Sequence, residues 1–286
     1  MRKLMASLAV LAAALAIGIV PAGAITDGTP DQEGHPYVGL MIAKNAQGVP
    51  QWRCSGTLLS STIFLTAGHC TEAPAARIEI WFDSGYPTPI PLGDGYPAAG
   101  PNPCAGITGY PCTGDASGTP FVHPQYNPNA FFLHDLGVVR LDSPEPKTTY
   151  GVLPQLNQLD ALKTQRGKQD VTFTAVGYGL QKSFPTAAAW KNQAFRTRMV
   201  AHPKLIQING GIVGDFSILL SNNASTGGTC FGDSGGPNFI GTSNVLAGVT
   251  SFALNGNCAG TGGVYRVDKA DDLDWLRTAF GITPPS

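Results

Sequence analysis

The sequence predicts a mostly β protein that ends in a single helix. It holds 36 glycines and 23 prolines among 286 residues, which is typical of many turns joining short strands. Runs of β-prone residues alternate with turn residues along most of the chain, and only the end has helical periodicity. Charged residues make up 13%, which excludes charge-driven disorder, and the formal net charge of −1 argues against nucleic acid as a partner.

The N-terminus predicts export. Arg2 and Lys3 precede the apolar run at residues 4–20, and Ala22-Gly23-Ala24 has the small-x-small pattern that signal peptidase cleaves. The alternative is a membrane anchor, but the run is at the short limit for a span and is followed at once by Pro21. We therefore expect residues 1–24 to be a signal peptide. The mature chain is then secreted and makes no contact with a membrane.

The cysteines predict disulfides rather than a metal site. Their even number in an exported chain is typical of three disulfides, although the count alone leaves the pairing open. A metal site would need closely spaced ligands, but the sequence has no CxxC motif, and only His69-Cys70 places a histidine beside a cysteine. We expect neither a metal nor a cofactor.

In the first half, residues 36–66 alternate β-prone runs with turns, as antiparallel hairpins do. Residues 83–120 are rich in glycine and proline, and we expect irregular surface loops there. Another apolar run covers residues 136–141. The prolines that follow it, at positions 144, 146 and 154, predict an extended linker and a domain boundary.

The second half repeats this pattern at residues 170–179, 216–222, 245–254 and 262–267. The helix is predicted after Asp268, a suitable N-cap. Leu273, Leu276 and Phe280 recur there at spacings of three and four, and Gly281 ends the run.

Three segments predict chemistry. Ser234 lies among glycines in Phe-Gly-Asp-Ser-Gly-Gly-Pro at residues 231–237, where backbone N–H groups can converge on one point. Nucleophilic acyl transfer needs such fixed donors to meet the developing oxyanion, although the same string alone could be an ordinary turn. Two further segments favour the first interpretation: one β-prone run ends in His69, and another begins after Asp135.

Together these segments resemble the chymotrypsin and trypsin family of serine endopeptidases. TAGHC at residues 66–70 resembles the family's TAAHC, HDLGVVRL at 134–141 resembles DIALLRL, and GDSGGP at 232–237 is unchanged. The order His, Asp, Ser also agrees, whereas residues 83–120 match poorly. The resemblance implies an all-β fold of two packed antiparallel six-stranded barrels, at residues 25–145 and 146–286, with a C-terminal helix.

The resemblance also implies the roles of the motif residues. Ser234 is the nucleophile, His69 the general base and Asp135 the residue that orients the imidazole. The N–H groups of Gly232 and Ser234 form the oxyanion hole.

Two further residues are candidates for these roles. His134 is a candidate base, but adjacent residues of a strand point to opposite faces, so it should point away from the site of Asp135. Asp142 is a candidate orienting acid, but its place beside Ser143-Pro144 fits a turn better.

For the cysteines, the resemblance implies two family bridges and leaves one further pair. These are Cys54–Cys70, Cys230–Cys258 and the remaining Cys104–Cys112. The last pair has no familiar counterpart in the family.

The resemblance implies activation by a new N-terminus whose ammonium pairs with the aspartate before the nucleophile, here Asp233. The family's Ile-Val-Gly-Gly corresponds to Ile25-Thr26-Asp27-Gly28, which departs at two positions. Ala24 precedes it instead of arginine or lysine. We therefore expect signal peptidase itself to expose Ile25.

By the same alignment, the specificity pocket has no charged wall. Its predicted substrate-binding residues are Gly228, Thr229, Ser251, Phe252, Ala253 and Gly263. Gly228 stands where trypsins carry an aspartate, so a buried Arg or Lys side chain of the substrate would have no partner. We expect cleavage after uncharged residues. The choice between large apolar and small side chains stays open.

The function predicted is an active endopeptidase that acts on polypeptides as a monomer, with protein inhibitors as further candidate partners. A catalytically silent binding module is the alternative of another class. An esterase with the same three residues is a third. Silent relatives usually lose a catalytic residue, whereas this chain keeps all three.

Overall fold

The computed structural model describes residues 25–87, 90, 113–130, 132–162, 170–182, 196–211 and 213–285. The predicted signal peptide and the Cys104–Cys112 pair lie outside these residues.

Six strands of the first half form a closed antiparallel barrel in the order β2-β3-β4-β7-β6-β5. Their bounds are β2 Val38–Lys44, β3 Pro50–Leu58, β4 Ile63–Thr66, β5 Arg77–Trp81, β6 Ala116–Val122 and β7 Gly137–Leu141. Strand β6 begins inside residues 83–120, which were predicted to be loops. It pairs with both β5 and β7, so its partners in the barrel decide its conformation against a weak local strand signal.

Seven strands of the second half and the N-terminal strand β1 form one curled sheet in the order β1-β9-β8-β12-β13-β14-β11-β10. Their bounds are β1 Thr29–Pro30, β8 Phe173–Gly177, β9 Met199–Ala201, β10 Leu205–Ile208, β11 Ser217–Asn222, β12 Pro237–Ile240, β13 Leu246–Ala253 and β14 Gly260–Arg266. An antiparallel bridge between Thr172 and Lys204 brings the start of β8 to the start of β10 and so curls the sheet. The predicted fold class is confirmed, although this sheet has two strands more than expected.

One hydrophobic core runs through the junction of the two halves. Phe64 and Leu65 of the first barrel belong to the same buried cluster as Val176, Phe239 and Val249 of the second sheet. The burial of these apolar side chains holds the two halves face to face.

Both ends of the chain pack against the opposite half. Strand β1 pairs with β9, Thr29 opposite Val200, so the N-terminal segment joins the second sheet. At the other end, Phe280 packs edge-on against Phe121 of the first barrel, with ring centroids 5.5 Å apart. Each terminal segment of the described chain thus contacts the half on the other side of the predicted boundary at residue 145. The division into two domains at that boundary stays a prediction.

The C-terminal helix, α1, spans Ala270–Phe280 and ends at Gly281, whose φ of 71° is the left-handed conformation that favours glycine. Its N-cap is Lys269, so the prediction of Asp268 was wrong by one residue. The Asp268 carboxylate instead accepts hydrogen bonds from the Arg266 guanidinium at 2.8 Å and from the N–H of Leu159. This buried ion pair outweighs a capping role. No helix among the described residues is long and apolar enough to cross a membrane.

Candidate active site

Strand pairing brings His69 and Asp135 together. Strands β4 and β7 are antiparallel neighbours with Thr66 opposite Gly137, so the end of β4 meets the start of β7. His69 lies just beyond β4, in a short 3-10 turn at Gly68–Cys70, and Asp135 lies two residues before β7. Two positions far apart in sequence therefore meet at one end of the first barrel.

The imidazole of His69 contacts both oxygens of the Asp135 carboxylate. Nδ1 lies 3.1 Å from Oδ1 and 3.0 Å from Oδ2, and the backbone N–H of His69 donates to Oδ1 at 2.9 Å. Asp135 is fully buried, whereas 27% of the His69 side chain is exposed. In a neutral ring the proton therefore stays on Nδ1, where the carboxylate accepts it, and the lone pair of Nε2 is left as an acceptor.

The pKa of His69 is raised above its ordinary value. Burial alone would lower the pKa, because it disfavours the charged ring, but the charge of Asp135 and its hydrogen bond outweigh that effect. The arrangement therefore suits a group that takes up a proton during a reaction.

Ser251 is a third donor to this carboxylate. Its Oγ donates to Asp135 Oδ2 at 2.5 Å. Sequence reasoning placed Ser251 only in the wall of the specificity pocket and missed this contact. The residue lies in β13 of the second sheet, so the hydrogen bond also joins the two halves.

The Ser234 segment is built from two tight turns. The N–H of Asp233 donates to the carbonyl of Cys230 at 3.0 Å, and the N–H of Gly236 donates to the carbonyl of Asp233 at 2.8 Å. Gly232 has a φ of 96°, as the third residue of a type II turn requires, and Gly235 has a φ of 76°. Within the part of the chain that the structure describes, the N–H groups of Gly232 and Ser234 donate to no other residue.

Ser55 of the first barrel holds this segment in place. Its N–H donates to the carbonyl of Ser234 at 2.8 Å, and its Oγ donates to the carbonyl of Gly232 at 3.0 Å. The same Oγ accepts the N–H of Tyr178 at 3.0 Å. The sequence did not predict a role for Ser55. The one available signal was that Ser55 follows Cys54, which was predicted to form a disulfide with Cys70 beside His69.

The structure joins Cys54 to Cys70 and Cys230 to Cys258, with Cα–Cα distances of 6.2 and 5.4 Å. The first bridge links β3 to the turn of His69. The second links the residue that opens the Ser234 segment to the loop after β13. Both bridges therefore flank the site.

A cavity of about 260 Å³ contains His69 and Ser234 together. Its lining residues are His69, Thr229, Cys230, Phe231, Ser234, Thr250, Ser251, Phe252 and Ala253. Four of the six predicted pocket residues, Thr229, Ser251, Phe252 and Ala253, are among them. A larger cavity of about 420 Å³, lined by Thr26, Asn222 and Gly260 among others, holds none of the three predicted catalytic residues.

The other two predicted pocket residues, Gly228 and Gly263, are covered by neighbouring side chains. A Cβ atom on Gly228 would lie 2.4 Å from the side-chain amide carbon of Asn222, and one on Gly263 would lie 2.4 Å from the ring of Phe252. Gly228 also donates its N–H to the carbonyl of Thr26 at 3.0 Å. Both glycines thus lie behind side chains and do not line the cavity themselves.

Asp233 is fully buried in a slot made by two glycines. Its carboxylate accepts the N–H of Gly179 at 2.7 Å and that of Cys230 at 2.9 Å. Burial raises the pKa of Asp233 to about 7, against the lowering effects of these bonds and of the Arg53 charge. A Cβ on Gly177 would lie 2.3 Å from Asp233 Oδ1, so no residue other than glycine fits at position 177.

The predicted partner of Asp233, Ile25, is also buried. Its side chain packs against Ala175, Met199 and Ala201. Ala175 lies two residues before Gly177 on β8, and an added Cβ on Gly177 would meet the Asp233 carboxylate. The next residue, Thr26, forms an antiparallel bridge with Gly228. The start of the described chain therefore lies against the strand that borders Asp233.

The two rival residues lie elsewhere. Nδ1 of His134 lies 3.2 Å from Asp271 Oδ2, and its ring stacks on that of His123. Asp142 is 44% exposed and pairs with Arg77 on the surface of the first barrel. Neither residue lines the cavity of Ser234.

Two groups of side chains have the spacing of metal ligands. In the first, Cys54 and Cys70 are already joined to each other beside His69. In the second, His123 Nδ1 accepts the N–H of Gln125, so the proton of the neutral ring is on Nε2, which faces Asp272 Oδ1 at 3.7 Å. Neither group offers a full set of ligand lone pairs.

The sequence is similar to those of known serine proteases. The family model described as Trypsin matches residues 108–275. Phenoloxidase-activating factor 1 of Holotrichia diomphalia is 26% identical over 260 residues, which cover 85% of this chain and 66% of that protein. Serine protease 1 of Drosophila melanogaster is 26% identical over 266 residues, 91% of this chain and 87% of that protein.

Solved structures show the same fold. HL collagenase superposes with a TM-score of 0.65 at 20% identity, covering 91% of this chain and 100% of that one. Human heparin binding protein superposes with a TM-score of 0.60 at 18% identity, covering 92% and 99%. At these identities the likeness concerns the fold alone.

Proposed function

This chain belongs to the trypsin family of serine-type peptidases, and from that premise we propose that it is a secreted endopeptidase with Ser234, His69 and Asp135 as its catalytic residues. The observation that carries the proposal is the single cavity that holds Ser234 beside His69, with the His69 ring held by a buried carboxylate. Polypeptides are the substrates of this family.

In the proposed reaction, Ser234 Oγ attacks the carbonyl carbon of the scissile peptide bond while Nε2 of His69 accepts its proton. The protonated imidazole then gives that proton to the leaving amine, and an acyl-enzyme on Ser234 remains. Water, deprotonated by the same nitrogen, hydrolyses the ester. Asp135 keeps its charge throughout and stabilises the imidazolium, consistent with the raised pKa of His69.

The N–H groups of Gly232 and Ser234 are the proposed oxyanion donors. The φ of 96° at Gly232 and the two hydrogen bonds from Ser55 support this role, because they fix the backbone before substrate binds. Donors already held in place cost no reorganisation during the reaction, and each contributes about 3 kcal/mol to stabilising the transition state.

Activation is proposed to follow removal of residues 1–24. A free ammonium on Ile25 would pair with Asp233, whose buried carboxylate has its pKa raised to about 7. Such a pair is strongly disrupted when one partner is missing. Secretion, a monomeric state and binding of protein inhibitors belong to the same proposal.

The specificity proposed is for uncharged side chains. Asn222 occupies the space beside Gly228, donates to the carbonyl of Thr229 at 2.8 Å and accepts a hydrogen bond from Thr26 at 2.6 Å. A neutral amide that is already bonded thus covers Gly228, which aligns with the trypsin aspartate, and this supports the proposed specificity. A buried Arg or Lys of a substrate would find no countercharge.

The test compares the mature protein with Ser234→Ala and with the control Ser225→Ala, an exposed serine on a turn. We expect casein and an uncharged peptide p-nitroanilide to be hydrolysed by the mature protein and the control but not by Ser234→Ala. Hydrolysis of activated esters without peptides would indicate an esterase. An inert protein that begins at Ile25 would indicate a silent binding module.

A further inference from the structure

We propose that this peptidase cleaves after small uncharged residues such as alanine, serine or valine, because Phe252 fills the inner part of its specificity pocket. This inference rests on the proposed function and names the substrate class of the same site.

A register shift in β13 sends Phe252 into the pocket. Thr250 pairs with Val264 and Phe252 pairs with Gly263, so Ser251 is the extra residue of a β-bulge. The bulge lets Ser251 reach Asp135 while the next side chain, Phe252, lies over β14. One backbone irregularity thus serves both the proposed catalytic aspartate and the pocket wall.

The ring of Phe252 occupies the space that Gly263 leaves open. Three ring atoms would lie 2.4 to 2.5 Å from a Cβ on Gly263, so the ring lies directly on that glycine. A glycine in a pocket wall leaves room that a long substrate side chain can use. Here the protein's own aromatic ring takes that room, and Phe252 still lines the cavity of Ser234.

The neighbouring glycine is covered as well. A Cβ on Gly262 would lie 2.7 Å from Thr229 Oγ1. Thr229 also lines the cavity. Together with Asn222 over Gly228, this means that each of these three glycines, which lie behind the cavity lining, is covered by a neighbouring side chain. Ala253, the last cavity residue on β13, adds a methyl group beside Phe252.

The combined effect is an uncharged pocket in which the glycines leave no open space. A small side chain buries its few carbon atoms against Phe252 and Ala253, whereas a phenylalanine or leucine side chain would have to displace the Phe252 ring. Steric exclusion of this kind discriminates because a long side chain must move a ring that is packed on Gly263, whereas a small side chain leaves the ring in place.

The test measures kcat/KM on the peptides succinyl-Ala-Ala-Pro-X-p-nitroanilide with X as Ala, Val, Phe or Lys. The mature protein should favour Ala or Val over Phe by about tenfold or more. Phe252→Ala should raise the Phe-to-Ala ratio of kcat/KM by about 10- to 100-fold. The matched variant Phe252→Leu keeps the space filled and should retain the small-residue preference.

Thr229→Ala is a second, independent variant in case Phe252→Ala does not fold. It opens the space beside Gly262 and should raise the Phe-to-Ala ratio of kcat/KM by a smaller factor.

A mature protein that hydrolyses casein but prefers the Phe peptide overturns this inference alone. A Phe-to-Ala ratio of kcat/KM that is unchanged in a folded Phe252→Ala does the same. A protein that hydrolyses neither casein nor any peptide overturns the proposed function and this inference with it.

Discussion

Ser251 Oγ and Asp135 Oδ2 lie 2.5 Å apart across the junction of the two halves of the molecule. Asp135 is fully buried and accepts three donors: the ring and the backbone N–H of His69, and this hydroxyl. A buried carboxylate keeps its charge only when such donors replace water. The second sheet therefore supplies a donor to a buried carboxylate that belongs to the first barrel.

Ser251→Ala is expected to lower kcat/KM by about 10-fold or more. A hydrogen bond to a charged group contributes about 1.5–3 kcal/mol, and its loss leaves His69 as the remaining donor to this buried carboxylate. Steady-state kinetics on a peptide substrate measures the effect. Ser251→Thr keeps the hydroxyl and should retain more activity than the alanine variant, and equal losses in both would argue against this role.

The activity should fall on the acid side with a midpoint above pH 6.5, the ordinary pKa of histidine, because the pKa of His69 is raised and only its neutral ring accepts a proton. Asp135→Asn removes the charge that raises this pKa, so the midpoint should move to lower pH, with kcat lower by about four orders of magnitude. The pH profile of kcat/KM tests both effects.

Asp142→Asn is the matched control for that profile, since Asp142 lies exposed on the surface in a pair with Arg77. It should leave the midpoint and kcat unchanged. A midpoint that did not move in Asp135→Asn would contradict the assignment of the acid limb to His69.

Gly235→Ala should destabilise the protein by more than about 2 kcal/mol. Its Cβ would lie 1.9 Å from Thr66 Oγ1 and 2.6 Å from the carbonyl of Ser55, at a φ of 76°. Gly241→Ala is the control, since it has a φ of 58° but nothing within 4 Å of the added carbon, and should cost only about 1–2 kcal/mol for the backbone. Urea unfolding compares them, and equal losses would show that close packing at Gly235 is unimportant.

A chain that keeps Ala24 before Ile25 should become less stable as the pH rises from about 4 to 7. Burial raises the pKa of folded Asp233 to about 7, whereas the ordinary value is 3.8. The folded state therefore binds this proton more tightly, and the stability present below pH 4 is lost as the pH passes through the folded pKa. The loss is at most about 4 kcal/mol.

Unfolding of this uncleaved chain across that pH range, in a Ser234→Ala background, measures the slope. Asp233→Asn should flatten the slope, because no carboxyl then titrates at this position. The form that begins at Ile25 should also have a shallower slope, because its ammonium favours the charged carboxylate. Identical slopes in all three proteins would contradict the proposed pairing of Ile25 with Asp233.

Local sequence patterns predicted most of the elements and one end of the helix. The β-prone runs at residues 216–222 and 245–254 are strands β11 and β13 within a residue or two, and Gly281 ends α1. Such features depend on neighbours in sequence: side-chain alternation, turn residues and a glycine with positive φ. Strand β6 and the helix N-cap were predicted less well. Strand β6 depends on its barrel partners, and the Asp268 carboxylate is held by Arg266 and by the N–H of Leu159, which is distant in sequence.

The sequence by itself determined the family, the order of the three motifs and the fold class, since each is written in short contiguous segments. Only the tertiary structure decided which side chains meet: Ser55 with the Ser234 segment, Ser251 with Asp135, and Phe252 with Gly263. These contacts join residues on different strands, and a bulge of one residue in β13 sets two of them. Such a shift turns a side chain towards another neighbour without changing the local pattern of apolar and polar residues.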